Sequence, residues 1–459
     1  MPKLLLINPA IDHTVLGNMR ATTWPPLNLP YIAAVTPPHY DIRVIDENIE
    51  PFVHQDADVV GITAMTSSVF RAYQIAQHYR SRGIPTVMGG IHVSMMPEEA
   101  LEYCDAVVLG EGETAWPRLL RDLESGKMQR RYEGEWQDLA ALPLPRRDIL
   151  KNSFYSWGSI QTSRGCPMDC TFCSVTAFNG RRFRRRNLDA VIQELLTIPQ
   201  KKILIADDNI IGHGPKDIAW AKAFFQKVID LKLDRYFFVQ SSLQLGEDPE
   251  LLQLAAQAGI KVVLIGMESV DPRSLRDYKK NINLKHLEQR RYAELVRNIR
   301  RAGIAVLGAF VLGDDQCTPD IFKATLQFIQ STGIDIIQTT KPTPLPGTHL
   351  WHALMKEGRI IDTDFPKAWK DYRLSRLVFE PHNMSRQDVY REFTALRKIF
   401  YSPRQTIKRT LNTLWTTRDL VTTVMAYRIN ASYRKAFLKS EHFHRFGKEG
   451  SANREAPIG

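Results

Sequence analysis

Three of the five cysteines in this 459-residue chain fall in one short run, Cys166-Pro-Met-Asp-Cys170-Thr-Phe-Cys173. Soft thiolates at this density select zinc or an iron–sulfur cluster. Structural zinc asks for a fourth ligand, usually Cys or His at paired spacing. Cys104 and Cys317 lie elsewhere, without a CxxC partner. Most iron–sulfur clusters take four cysteines. A loop with three leaves one iron open to another ligand, and that open iron is the chemistry the motif points to. The alternative is zinc or an inert buried cluster. So few cysteines cannot form a disulfide framework, and their crowding suits a reducing compartment.

Such a loop needs a scaffold, and the flanking sequence supplies one. The series opens at Gly158–Thr162, which runs on through QTSRG to the cysteines, and apolar runs recur at Ile203–Ala206, Phe237–Ser241, Val262–Ile265, Ala305–Leu312 and Ile334–Thr339. Helical patterns lie between them at Leu188–Thr197, Ile218–Leu231, Pro249–Ala258, Lys285–Arg301 and Ile321–Gln330. Six strand–helix units are too few for an eight-fold barrel and fit a partial (β/α)6 barrel of TIM type with one open side. Polar residues mark the strand ends where sites form: Asp207-Asp208-Asn209, Gln240 with Ser242, and Glu268.

Upstream, five short apolar runs alternate with helical stretches: Lys3–Ile7, Ile42–Ile45, Val59–Ile62, Thr86–Met88 and Ala106–Leu109. That pattern predicts a doubly wound parallel sheet, whose ligands sit beyond the carboxyl ends of the strands. Those ends carry Thr63, Gly89-Gly90-Ile91-His92 and Gly110-Glu111-Gly112-Glu113. The expected organisation is therefore α/β. It comprises a doubly wound domain over 1–125, a linker over 126–150, a partial barrel over 151–345 and a mainly helical, basic region over 346–459, loose in its last residues.

Hydrophobic residues make up 44% and charged residues 24%, ordinary globular usage that argues against a disordered or fibrous protein. No apolar run approaches the ~18 residues of a membrane span, and the start MPKLLLINPA lacks signal-peptide features. A cytoplasmic protein is expected. The net charge, 61 − 50 = +11, is uneven: residues 401–459 hold eleven Lys+Arg and four Asp+Glu, or +7. Charge confined to an appendage argues against a nucleic-acid enzyme. In that tail Ile407, Leu411, Leu414 and Trp415 share one helical face, with Lys408, Arg409 and Arg418 elsewhere. Either the tail makes peripheral contact with the inner face of a membrane, or it packs on the barrel with a solvated basic side. The run Arg181-Arg182-Phe183-Arg184-Arg185-Arg186 reads mostly as a solvated loop.

The CxxxCxxC spacing, with Phe172 before the last cysteine and placed after the first strand of a six-unit series, resembles the radical S-adenosylmethionine (SAM) superfamily over about residues 155–345. The resemblance implies that Cys166, Cys170 and Cys173 hold a 4Fe-4S cluster whose open iron takes SAM. It implies homolytic cleavage of SAM to a 5′-deoxyadenosyl radical that abstracts hydrogen from an unactivated carbon. By similarity Asp207 or Asp208 accepts from the SAM ammonium, Glu268 accepts the ribose hydroxyls, and Gln240 faces the adenosine. A helix cap for the aspartates, a buried Glu–Arg pair for Glu268 and plain strand-end polarity for Gln240 are the competing readings.

The doubly wound domain resembles that of the cobalamin-binding class of these enzymes. The resemblance implies that Thr63, Gly89, Gly90, Gly110 and Gly112 line the corrin or its nucleotide tail. One departure stands out: the D-x-H-x-x-G sequence that supplies a cobalt-ligating histidine in many cobalamin proteins is absent, since neither Asp12-His13 nor His92 matches it. The order of parts resembles the group of the anaerobic magnesium-protoporphyrin ester cyclase and the hopanoid and bacteriochlorophyll methylases. Cobalamin-dependent C-methylation is the implied reaction. A non-methylating oxidation or cyclisation, or a non-catalytic corrinoid or iron–sulfur protein, are the alternatives. The implied partners are a lipid-like or tetrapyrrole substrate and a reductant such as flavodoxin or ferredoxin.

Overall fold

Two all-parallel sheets, one after the other, organise the chain in a computed structural model that describes residues 1–10 and 24–446. The first contains β1 (Lys3–Asn8), β2 (Asp41–Asp46), β3 (Val59–Thr63), β4 (Thr86–Gly89), β5 (Ala106–Leu109) and β6 (Arg131–Glu133) in the order β2-β1-β3-β4-β5-β6. Helices cover both faces, so strands such as KLLLIN read as continuous apolar runs. The strand order reverses at β1, and the crevice of the sheet opens there.

Strand β6 corrects the expected linker. Residues 126–150 are not a plain connection, because Arg131–Glu133 pairs with β5 and completes the sheet. Only Tyr132 of that strand is buried, so its three residues carry no readable alternation.

The second sheet opens with β7 (Gly158–Ile160). A short antiparallel pair, β8 (Ser163–Arg164) and β9 (Arg184–Arg185), then brackets the cysteine loop. Strands β10 (Lys202–Ile205), β11 (Tyr236–Ser241), β12 (Ile260–Glu268), β13 (Ala305–Val311) and β14 (Ile336–Thr340) follow, giving the order β7-β10-β11-β12-β13-β14. The outer strands β7 and β14 do not pair, so this is a partial barrel. The expected helix over Lys285–Arg301 is two helices, Asn281–Glu288 and Tyr292–Arg301, with Arg290 left-handed at the break (φ 54°).

One face of the barrel sheet, through Val263, Ile265 and Val306, packs on the surrounding helices with Leu295, Val296 and Phe322. The other face, through Trp157, Val262, Ala305, Leu307 and Ile336, is filled by Met425, Ala426 and Ile429 of the last helix, Leu420–Phe446. The carboxyl-terminal region thus closes the open side of the barrel. No helix among the described residues is long and apolar enough to cross a membrane.

Buried ion pairs join the two sheets. Glu194, fully buried on the helix Leu188–Thr197, meets both Arg147 and Arg186 and accepts from the Tyr31 hydroxyl at 3.2 Å. Arg164 donates to Glu113 at 2.5 Å and lies 3.2 Å from Glu111, which also pairs with Arg184. The arginine run is therefore not chiefly solvated: Arg184 reaches the amino-terminal domain, Arg185 lies 4.4 Å from the Trp220 ring centre, and Arg186 is buried. Breaking one partner of such a buried pair costs about 3–5 kcal/mol, because it strands the other charge.

Candidate active site

The loop between β8 and the helix Ser174–Asn179 carries all three motif cysteines as free thiols, Cys170 buried and Cys166 and Cys173 half-buried. Gly165 starts the loop at φ 87°, a left-handed backbone that favours glycine. The loop is then tied on several sides. Cys173 N–H donates to the Cys170 carbonyl at 3.1 Å, the Thr171 hydroxyl to Asp277 at 3.0 Å, and the Thr176 hydroxyl to Met168 at 3.0 Å. Phe172 sits edge-on to Tyr278 with ring centres 4.9 Å apart. Burial pushes the Cys170 thiol up to about 11, opposed by the Lys280 ammonium, and the three sulfurs lie close enough to influence one another.

Among the described residues no three His, Cys, Asp or Glu side chains converge on one ion. A four-iron cluster does not ask them to, since each thiolate takes its own iron. Three neighbouring thiols on a braced loop, with cationic Lys280 beside them, are a donor set that fits such a cluster.

The aspartate pair divides its work. Asp207 is fully buried and both its oxygens are taken: by Thr162 N–H at 2.6 Å and its hydroxyl at 2.5 Å, and by Ser163 N–H at 3.1 Å and its hydroxyl at 2.7 Å. It anchors the turn from β7 into β8, and no lone pair is left for a cofactor. Asp208, the next residue, turns the other way and lines a cavity. Burial and the neighbouring Asp207 push its carboxyl up to about 6.

Glu268 ends β12 at a bulge, left-handed (φ 62°) and buried, and pairs with Lys280 at 2.7 Å. Glu268 thus forms a buried ion pair, with a lysine rather than the expected arginine as its partner. Burial opposes the Lys280 charge, while Glu268 and Cys170 together hold it above the usual lysine range. Gln240 shares its face of β11 with Phe238, two residues away.

The cavity has a volume of about 910 Å³ and lies between the two sheets. That is the upper end of the range for ligand sites. Thr63, Gly89, Gly90, Gly110 and Gly112 all line it from the first domain; Gln161, Asp208 and Phe238 line it from the barrel; Ile429 and Tyr433 from the last helix. The glycines differ in why they are glycine. A Cβ on Gly90 (φ 102°) would stand 2.7 Å from the Ala64 carbonyl oxygen, so the fold itself forbids it, whereas one on Gly112 would meet only the tip of the Ile32 side chain, at 2.8 Å, which can move aside. A Cβ on Gly89 would meet nothing nearer than 3.5 Å. Gly89 is bare toward the cavity without any need of the fold.

His92 is fully buried against Thr66 (3.2 Å), Glu99 (3.3 Å) and the Trp369 ring, and it does not line the cavity. Asp12-His13 lies outside the described residues. Sequence reasoning missed Lys280, Gln161 and Arg164. The last two sit in the QTSRG stretch beside the cysteines, and their polarity so near the motif was the available signal; Lys280 offered none.

This architecture and cysteine loop define a class, and comparison with known proteins agrees. The B12 binding domain family matches residues 13–120, the radical SAM superfamily matches residues 160–329, and a domain of unknown function (DUF4070) matches residues 348–447. The bacteriochlorophyllide d C-12(1)-methyltransferase of Chlorobaculum tepidum is 28% identical over 90% of this chain and 91% of its own length. The hopanoid C-2 methylase of Rhodopseudomonas palustris is 29% identical over 77% and 68%. The fold is shared with TsrM of Kitasatospora setae, a radical SAM methyltransferase solved with cobalamin and a 4Fe-4S cluster bound (TM-score 0.67, 18% identity, 88% of this chain and 89% of that one). The chain thus carries a B12 binding domain followed by a radical SAM domain. Its cofactors are a 4Fe-4S cluster, SAM and cobalamin.

Proposed function

We propose that this enzyme methylates an unactivated carbon of a lipid-like or tetrapyrrole substrate. One observation carries the reading. The glycine-rich strand ends of the first domain and the barrel residues Asp208 and Phe238 face the same cavity. A methyl donor on one side and a hydrogen-abstracting centre on the other must meet at one substrate carbon, and a shared chamber supports that meeting. When bound, the cluster with SAM supplies the radical and cobalamin supplies the methyl group.

The chain's own residues bind, orient and exclude water. Cys166, Cys170 and Cys173 would hold three irons, and Asp208, free of the hydrogen bonds that occupy Asp207, would accept from the SAM ammonium, a donor-only group. Gly89 would let a flat macrocycle approach the backbone. Leu27, Ile32, Trp157 and Ile429 give the cavity an apolar wall suited to a large hydrophobic substrate. Cluster reduction starts outside the chain, which calls for a one-electron donor of the flavodoxin or ferredoxin kind. The same reading sets the enzyme in the cytoplasm, in peripheral contact with the membrane that holds a lipid-like substrate.

Turnover under anaerobic conditions with methyl-deuterated SAM tests the reaction. Extracts of cells lacking the gene serve as substrate source. Methylation requires both 5′-deoxyadenosine and S-adenosylhomocysteine, and a product bearing the deuterated methyl. Deoxyadenosine with a product that has gained no methyl would reject it in favour of another radical outcome.

A further inference from the structure

The helix Pro403–Thr417 meets the protein through its polar side. Thr413 donates to Asp335 at 2.6 Å, Arg300 donates to Asn412 at 2.6 Å, and the Arg409 guanidinium lies 3.6 Å from the Phe400 ring centre. Its apolar side faces away: Ile407 is 60% exposed, Leu411 62%, Leu414 40% and Trp415 84%. The spacing i, i+4, i+7, i+8 puts all four on one stripe. Leu420, Val424 and Tyr427 of the last helix are exposed too, opposite the Met425 and Ile429 side that fills the barrel. Monomeric proteins rarely leave such a patch to water.

Its charge says what covers it. Arg404, Lys408, Arg418 and Arg434 are exposed on the two helices, and among the described residues no carboxylate pairs with them. From Pro403 to Leu438 the sequence holds a single carboxylate, Asp419, and Lys261 binds it at 2.7 Å. A second copy of the chain meeting this patch by two-fold symmetry would bring the same cations against one another. An anionic bilayer answers both features, taking the apolar stripe into its headgroup boundary and neutralising the cations.

We propose that Ile407, Leu411, Leu414 and Trp415, with Lys408 and Arg418, form a docking surface for an anionic lipid bilayer. This deepens the membrane-face reading and is independent of methyl transfer. The last helix adds exposed Leu420, Val424 and Tyr427 beside this surface, while its residues Ile429 and Tyr433 line the cavity.

Co-sedimentation of the full-length protein with phosphatidylcholine vesicles, with and without phosphatidylglycerol, reads the surface without turnover. Binding is expected only to the anionic vesicles, and weaker at high salt. Lys408→Glu and Arg418→Glu should each lower it about five-fold or more. Leu411→Asp with Trp415→Asp should abolish it while circular dichroism and cobalamin uptake stay unchanged. Anionic-vesicle binding by an enzyme that methylates a soluble substrate would uphold the surface and reject only the lipid substrate. Failure to bind either vesicle, or a dimer dispersed by Leu411→Asp, would overturn the proposal.

Discussion

Lys280 holds Glu268 at 2.7 Å directly beside the cysteine loop, and Glu268 does so from a left-handed backbone at the end of β12. Such strain persists only where the surroundings fix it, and it gathers at functional sites. Lys280 also acts on Cys170 and Cys173, so the pair sets the charge around the thiols.

That charge should tune the cluster. Lys280→Met removes a cation and should lower the cluster's midpoint potential; Glu268→Gln removes the opposing anion and should raise it. Each shift is on the order of tens of millivolts, about 1 kcal/mol of charge interaction. An electron paramagnetic resonance (EPR)-monitored redox titration reads both. Shifts of the same sign would contradict the assignment.

The adjacent aspartates should separate cleanly. Asp207→Asn turns an acceptor that serves Thr162 and Ser163 into a partial donor and should cost about 1–3 kcal/mol of stability. It should lower the melting temperature and the cluster occupancy. Asp208→Asn should not lower the melting temperature, because burial and Asp207 already disfavour the carboxylate, and should weaken SAM binding about ten-fold, the loss expected for one charged hydrogen bond. Calorimetry and equilibrium SAM binding distinguish the two.

Two neighbouring glycines should likewise differ. Gly89→Ala adds a Cβ that meets nothing nearer than 3.5 Å, so it should reduce cobalamin uptake in a protein that still folds. Gly90→Ala forces a side chain into a backbone conformation that essentially only glycine adopts (φ 102°, ψ 179°), against the Ala64 carbonyl, and should cost about 1–3 kcal/mol of stability. Cobalamin absorbance and thermal melting, measured together, check this. Full cobalamin uptake by Gly89→Ala would remove Gly89 from the site.

Much of the fold was legible because it is written locally. Apolar runs such as Val59–Ile62 and Ala305–Leu312, and the helix Leu188–Thr197, announce themselves within a few residues. The cysteine trio is legible for the same reason. What escaped depends on distant partners. Asp207 and Asp208 are chemically alike in sequence, and only the hydroxyls of Thr162 and Ser163 tell them apart. The arginine run reads as solvated until Glu111 arrives from the other domain. Helix Pro403–Thr417 has a clear apolar face, yet periodicity does not say whether that face turns inward; here Asp335 and Phe400 claim the opposite side.

Lys341 links burial to pH. It is buried, donates to the Ser375 carbonyl at 3.0 Å and lies 4.1 Å from the Phe393 ring centre, and burial pulls its ammonium down to about 7. Its folded pKa is thus below its unfolded one, so the unfolded chain binds more protons between about pH 7 and 10.5 and stability rises with pH across that window. Lys341→Met should therefore be more stable than the parent near neutral pH, with the gap closing as pH rises. Melting temperatures of the cofactor-free chain across that range would show it. A gap that widened with pH would reverse the assignment.

On the reading proposed above, Cys166, Cys170 and Cys173 leave one iron of the cluster open to SAM. EPR spectroscopy of the dithionite-reduced, oxygen-free enzyme, recorded with and without SAM, tests it most directly. An open iron gives a 4Fe-4S signal that changes shape when SAM is added and vanishes in the Cys166→Ala, Cys170→Ala, Cys173→Ala variant. A cluster signal indifferent to SAM, or zinc in place of iron, would contradict it.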